Sequence, residues 1–252
     1  DTMTYSSGIF ETGHESLEKA QISKYASMVD QMGVKAGDHV LEIGCGWGGF
    51  AEYAAAERGL SVTGLTLSKE QLAFARERIE KKGLQDKVTF KLQDYRDEKG
   101  VYDGIASIEM FEAVGEKYWP TYFDTLRNCL KPGRCATLQI ITVRDDRWDI
   151  YRRGVDFIQK YIFPGGFLPN KNSIDKYISQ NDLTIKSYES YADHYSNTLS
   201  MWRDEFINKW DLIKKQGFDL TFKRMWEFYL CYCEAGFKSK NIDLIQFSLQ
   251  NK

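Results

Sequence analysis

An α/β fold built on a largely parallel sheet is expected, with a helical cap inserted after the fifth strand. Three features predict it. Short β-branched runs alternate with amphipathic stretches long enough to cross between parallel strands. A glycine-rich stretch follows the first such run, and the alternation breaks after residue 143, where an aromatic, helical region begins.

In chain order, residues 15–32 (ESLEKAQISKYASMVDQM) have the period of an amphipathic helix. Strands are expected at 39–44, 61–66, 87–92, 103–108 and 136–143, with helices at 48–58, 69–82 and 116–130 between them. Beyond lie a helical, aromatic stretch at 144–181, a strand at 183–191, helices at about 197–215 and 220–236, and an alternating strand, IDLIQFSL, at 242–249. With no internal repeat or linker tract, the chain is expected to be one domain over 1–252: an N-terminal helical segment (1–35), a cofactor-binding core (36–143), a cap (144–181) and the remaining core (182–252).

Composition narrows the function. The 252 residues carry a formal charge of −2 and no extended basic tract, which argues against nucleic acid. No run approaches the roughly 18 apolar residues of a membrane span, so the expected location is cytoplasmic, at most peripheral to a membrane. The five cysteines lack zinc-type spacing, since Cys231 and Cys233 leave one residue between thiols, and His14, His39 and His194 are scattered. No metal is expected.

The loop EIGCGWGGF (42–50) joins strand to helix through Gly44, Gly46, Gly48 and Gly49. Glycine allows a tight turn and close backbone approach to a ligand, and the helix N-terminus adds donors. The spacing matches a dinucleotide fingerprint, but the second strand ends in Thr66 and Leu67, without the acid that would hold NAD ribose hydroxyls. A compact adenosyl ligand remains, S-adenosylmethionine, with Glu42 just before the loop. Ser68 and Gln71 also fit an S-x-x-Q helix cap, and Asp94 and Tyr95 also fit turn chemistry after the third strand. SIEMFEAVGE (107–116) sets Glu109 and Glu112 where the fourth strand runs out; alone, they read as a solvated pair at a turn.

Taken together, MTYSSGIF (3–10), LEIGCGWGGF (41–50), VTGLTLSKEQ (62–71), LQDYRD (92–97), SIEMFEAVG (107–115), KYIFPGGFLP (160–169), HYSNTL (194–199) and RMWEFYL (224–230) resemble the cyclopropane-fatty-acid synthase family. That family includes the mycolic acid cyclopropane synthases and is related to plant alkaloid N-methyltransferases. The resemblance implies a class I methyltransferase core with a Rossmann-like, seven-stranded, mostly parallel sheet. It implies methyl transfer from S-adenosylmethionine to an alkene of a phospholipid acyl chain, with ring closure on proton loss. Tyr5, Ser6, Gly44 and Gly46 would meet the methionine part of the cofactor, Thr66, Leu67 and Gln71 the ribose, and Asp94 and Tyr95 the adenine, with Glu42, Trp47 and Ile108 also beside it. It further implies a segment preceding residue 1.

The resemblance also places a bicarbonate ion as base, at positions matching Ser7, Glu112, Gln139, Ile141 and Tyr195. Here the chain departs from its pattern: Ser7 stands for the usual Cys, Gln139 for His, Ala113 for the His of FEHVG, and Glu109 for a Gly. Bicarbonate binding is thereby put in question, and an open-chain methyl or methylene product becomes an expectation, with Glu112 as proton acceptor and Glu109 holding the cofactor ammonium or stabilising the cation. Glu109 is shared with the N-methyltransferases, so a small-molecule amine substrate stays open, as does a cofactor binder without catalysis. Residues 156–170 and the Phe222, Trp226, Tyr229 and Cys233 face of the last helix would enclose an acyl chain or simply form core. RDDRWDIYRR (144–153) suits phospholipid headgroups or a solvated helix. Expected partners are unsaturated phospholipid acyl chains and a peripheral membrane surface, with room for a homodimer and for a reductase that saturates a methylene product.

Overall fold

The computed structural model describes residues 2–252. After a strap of extended residues, helix α1 (Leu17–Met32) starts at Ser16, whose hydroxyl accepts the Lys19 N–H, and stops at Gly33, left-handed at φ 67°. There follow β1 (His39–Ile43), α2 (Gly49–Glu57), β2 (Ser61–Thr66), α3 (Lys69–Lys81), β3 (Val88–Leu92) and β4 (Tyr102–Ile108). Pro120 sits in the first turn of α4 (Trp119–Cys129), which runs straight into β5 (Leu130–Val143). The cap holds α5 (Trp148–Tyr151) and one π turn (Ile158–Ile162). Then come α6 (Lys171–Gln180), β6 (Leu183–Ser190), α7 (Ala192–Asn208), α8 (Trp210–Lys215), α9 (Leu220–Lys238) and β7 (Ile242–Asn251).

The seven strands lie in the order β3-β2-β1-β4-β5-β7-β6. β1 to β5 are parallel, and β7 is antiparallel to both neighbours. The expected α/β class and seven-stranded, mostly parallel sheet are therefore realised. The chain leaves β1 for β2 and β3 on one side and returns to β4 on the other, so the crevice at the carboxyl ends of β1 and β4 is the topological switch point.

Helices cover both faces because the central strands are apolar on both sides. One face packs Met28 of α1, Phe50 of α2 and Ile79 of α3 against Val40 and Val62. The other packs Trp119, Tyr122, Phe123 and Leu126 of α4, with Ile174 and Ile178 of α6, against Ile105 and Leu138. Each such fully buried side chain contributes about 1.5–3 kcal/mol of transfer free energy. A third cluster joins α7 and α9 to the cap through Tyr195, Tyr229, Phe157 and Ile162.

One helix is shifted toward the N-terminus relative to its periodicity. The pattern suggests a start at 197, yet α7 begins at Ala192, because Ala192, Tyr195 and Leu199 already form the buried stripe while His194 and Ser196 obscure it. It also breaks at Lys209 instead of running to 215. No helix among the described residues is long and apolar enough to cross a membrane.

Candidate active site

The switch-point crevice gathers residues from five strand ends, the strap and α7. After β1, the chain turns so sharply that the Gly44 and Cys45 N–H groups both donate to Leu65 O, at 3.1 and 2.8 Å. Gly44 is left-handed at φ 83°, and a Cβ there would lie 2.6 Å from Met110 Cγ. Only glycine fits. Glu42, 3% exposed at the end of β1, has an Oε2 without any hydrogen-bond partner among the described residues. Burial lifts its carboxyl well above the usual range, against the pull of Lys24 and Arg78. A buried orphan oxygen beside a glycine cradle suits a ligand carrying an ammonium group.

Thr66, Leu67, Asp94 and Tyr95 lie at the ends of β2 and β3. The Thr66 hydroxyl donates to Gln71 Oε1 at 2.9 Å, and Gln71 N donates to Ser68 Oγ at 3.2 Å. Gln71 is therefore capped by Ser68, yet its side chain turns toward Thr66 instead of closing the reciprocal half of a capping box. Leu67 is largely exposed, and Trp47 sets its ring edge against Phe74 at 5.3 Å. The Asp94 carboxylate caps the next turn by accepting from Arg96 N at 3.0 Å and pairs with the Arg96 guanidinium, which lowers its pKa. Tyr95 meets Tyr122 edge-on at 5.6 Å, and Ile108 packs against the cluster that holds Met28, Phe50 and Val62.

The two acids after β4 do different things. Glu109 is left-handed at φ 50°, which costs a non-glycine residue about 1 kcal/mol or more. That backbone aims its carboxylate at three donors. Oε1 accepts Ser7 N at 2.9 Å and Gln139 Nε2 at 2.7 Å, and Oε2 accepts the Tyr195 hydroxyl. Burial raises its pKa, and these bonds with the nearby Lys24 charge oppose the rise. Glu112 Oε1 accepts Ile141 N, whereas its Oε2 is buried without a partner among the described residues. Burial first, and the Glu109 charge second, push the Glu112 carboxyl up to about 8.

Ser7, Glu112, Gln139, Ile141 and Tyr195 thus do converge, as expected of an ion site, but the donors among them are spent on protein carboxylates. The Ser7 hydroxyl itself turns away to Gly8 O at 2.9 Å; its backbone N–H does the work. Ala113 is exposed. Gln139 is fixed from behind by Gln246 of β7, which donates to its Oε1 at 2.7 Å and accepts from Ser27 and Gln31 of α1.

The strap forms one wall. Gly8 N donates to Thr198 and Phe10 N to His194 Nδ1, tying it to α7, and Ile9 N donates to Ala20 O of α1. Tyr5 stacks on Trp202 at 5.2 Å and shares a 2.7 Å hydrogen bond with the Tyr229 hydroxyl, while Phe163 of the cap stands edge-on to Tyr229. Phe222, Trp226 and Tyr229 do line one face of α9. Sequence reasoning missed Gln246, Thr198 and Lys24. The last is a lysine on the apolar face of α1, a pattern that signals a buried charge.

The sequence matches the mycolic acid cyclopropane synthetase family over residues 1–247. It is 42% identical over 257 residues to the tuberculostearic acid methyltransferase of Mycobacterium tuberculosis, covering 99% of this chain and 60% of that protein. It is 38% identical over 233 residues to the cyclopropane-fatty-acyl-phospholipid synthase of Escherichia coli K12, covering 92% of this chain and 58% of that one. The chain thus spans about three fifths of the length of these curated relatives. Among solved structures, a mycolic acid cyclopropane synthase complexed with S-adenosylhomocysteine and CTAB superposes with a TM-score of 0.91 at 29% identity, over 99% of this chain and 90% of that one.

Proposed function

Since the chain belongs to the mycolic acid cyclopropane synthetase family, we propose that it is an S-adenosylmethionine-dependent methyltransferase acting on the double bond of an unsaturated acyl chain, held as a phospholipid or a related ester, and that it releases an open-chain methyl or methylene product. The observation that carries this reading is the Glu109 carboxylate, bonded to Ser7 N, Gln139 and Tyr195. Those are three of the five positions the family resemblance assigns to bicarbonate, so Glu109 takes the place of the free ion. The 42% identical relative, named for methylating a fatty acid, supports the same product class.

When bound, the cofactor supplies an electrophilic methyl. The alkene π pair forms the new C–C bond, the C–S pair stays on sulfur, and the other alkene carbon becomes cationic. Glu109, pinned by three donors, is a fixed negative charge beside that cation. The faces of Tyr5, Trp202 and Tyr229 add quadrupole stabilisation. Glu112 Oε2, with its lone pairs free, accepts the proton. Loss from a neighbouring chain carbon leaves a methyl-branched olefin; a 1,2-hydride shift followed by loss from the new methyl leaves an exomethylene, which a partner reductase would saturate. Exposed Ile150, Val155 and Tyr161 on the cap, with Arg152, Arg153 and Lys160 among them, support docking on an anionic membrane surface.

Liposomes of monounsaturated phospholipid and cofactor with a fully deuterated methyl provide the test. Three deuterons retained, or two in a product that takes up hydrogen on mild hydrogenation, support the proposal; a saturated ring with two overturns it, and no incorporation redirects attention to amines or to a non-catalytic binder. In bicarbonate-stripped buffer the wild-type rate is expected to hold. Glu109→Gly is expected to lose activity and to regain part of it with added bicarbonate.

A further inference from the structure

Lys24 is the least expected side chain in the molecule. It is fully buried on α1, makes no direct ion pair among the described residues, and has no part in the mechanism above. A bare ammonium in such a place is costly unless each proton has a destination. Here all three do: Ser6 Oγ at 2.5 Å, Gln21 Oε1 at 2.7 Å, and the face of Tyr25, 4.3 Å from its centroid. Burial pulls its pKa down to about 7, against the opposing charges of Glu109 and Glu42 acting through space.

The consequence falls on Ser6. Its carbonyl accepts Gln21 Nε2 at 2.7 Å, so two side chains of α1 clamp it at both ends. Because Ser6 Oγ accepts from the Lys24 amine, its own proton must be given elsewhere, and it makes no other hydrogen bond among the described residues. Ser6 is therefore a polarised donor without an acceptor among the described residues. Its position is fixed by its neighbours: Thr4 lies against Gly49 at the start of α2, and Ser7 N reaches Glu109. Ser6 thus stands between the glycine loop and the acid pair, with the unpartnered Glu42 oxygen close to the same charge. A free hydroxyl donor on one side and a free carboxylate oxygen on the other are the two complements of an α-amino acid.

We propose that Lys24 is a positioning residue for the amino-acid end of the methyl donor: through Ser6 it directs a polarised hydroxyl at the α-carboxylate, while Glu42 receives the α-ammonium. This rests on the methyl-donor reading above and extends it to a residue that does not itself touch the cofactor.

The test compares two probes that share adenosine and sulfur but differ at this end. S-adenosylhomocysteine has the α-carboxylate and 5′-methylthioadenosine lacks it. For Lys24→Met and Lys24→Gln, titration calorimetry is expected to show S-adenosylhomocysteine weakened about tenfold or more, in line with a charge-assisted hydrogen bond, while 5′-methylthioadenosine stays within twofold. Ser6→Ala is expected to do the same, and to add little on top of Lys24→Met. Retained binding of 5′-methylthioadenosine shows that a variant is folded, and KM for the donor should rise more than kcat falls. The inference is overturned if both Lys24 variants keep the full preference for S-adenosylhomocysteine, or if they weaken both probes equally. Failure of the wild type to bind either probe would instead sink the methyl-donor reading.

Discussion

Glu109 and Glu112 sit three residues apart, yet one carboxylate takes three donors and the other keeps an oxygen with none among the described residues. That asymmetry assigns the roles of fixed charge and base. Glu112→Gln is expected to lower kcat at least a hundredfold with KM for the methyl donor little changed, in steady-state assays, since only proton removal is lost. Glu112 titrates near 8 in the free protein and accepts a proton only when ionised. Accordingly kcat/KM should rise with pH up to about 8. The kcat profile should lie at lower pH, because the sulfonium charge favours the carboxylate. Glu109→Gln, by removing the adjacent negative charge, should move the limb toward acid. The backbone at 109 offers a separate check. At φ 50° glycine is relaxed and alanine is not, so Glu109→Gly should be about 1 kcal/mol more stable than Glu109→Ala to denaturant.

Among elements, the strap is the one whose fit is tightest. Gly8 has Ala20 so near that a Cβ would stand 2.6 Å from the Ala20 Cβ, and neither partner is a flexible side chain. Gly8→Ala should cost about 1–3 kcal/mol and lift the strap, seen as faster proteolysis within residues 2–12 and weaker S-adenosylhomocysteine binding. The sheet was legible because β1 to β4 are short apolar runs that end in a turn, and the glycine loop because its four glycines are local in sequence; β5 starts six residues earlier than expected, from Leu130, because its polar start LKPGR hides it. The start of α7 was not, since His194 and Ser196 interrupt its apolar stripe. Nor was the handling of the donors: that Ser7 offers its backbone while its hydroxyl turns to Gly8, and that Gln139 is aimed by Gln246, are facts of pairing between β5 and β7. No reading of neighbours along the chain contains them. Lys24 was visible as a charge on an apolar face, but its meaning depended on where Ser6 came to lie.

Across the whole molecule, rigidity and exposure divide along the sheet. β1, β4, β5 and β7 are covered on both faces, whereas Ile150, Val155, Tyr161 and Phe163 leave the cap's apolar side in solvent. Hydrogen exchange should therefore be slowest in the central strands and fast over 147–168. S-adenosylhomocysteine alone should slow the strap and the glycine loop, and a long-chain alkyl ligand should be needed to slow the cap. The position of β7 has a consequence for how the protein comes into being. It is the last strand of the sheet in sequence, yet it lies between β5 and β6 and supplies Gln246 to hold Gln139. On the ribosome, the glycine loop, both acids and the strap all emerge well before it. Until residues 242–251 clear the exit tunnel, β5 has an open edge and Gln139 has no brace, so a chain released early has no assembled centre with which to alkylate anything. Reactivity therefore waits for residues 242–251 to pair with β5.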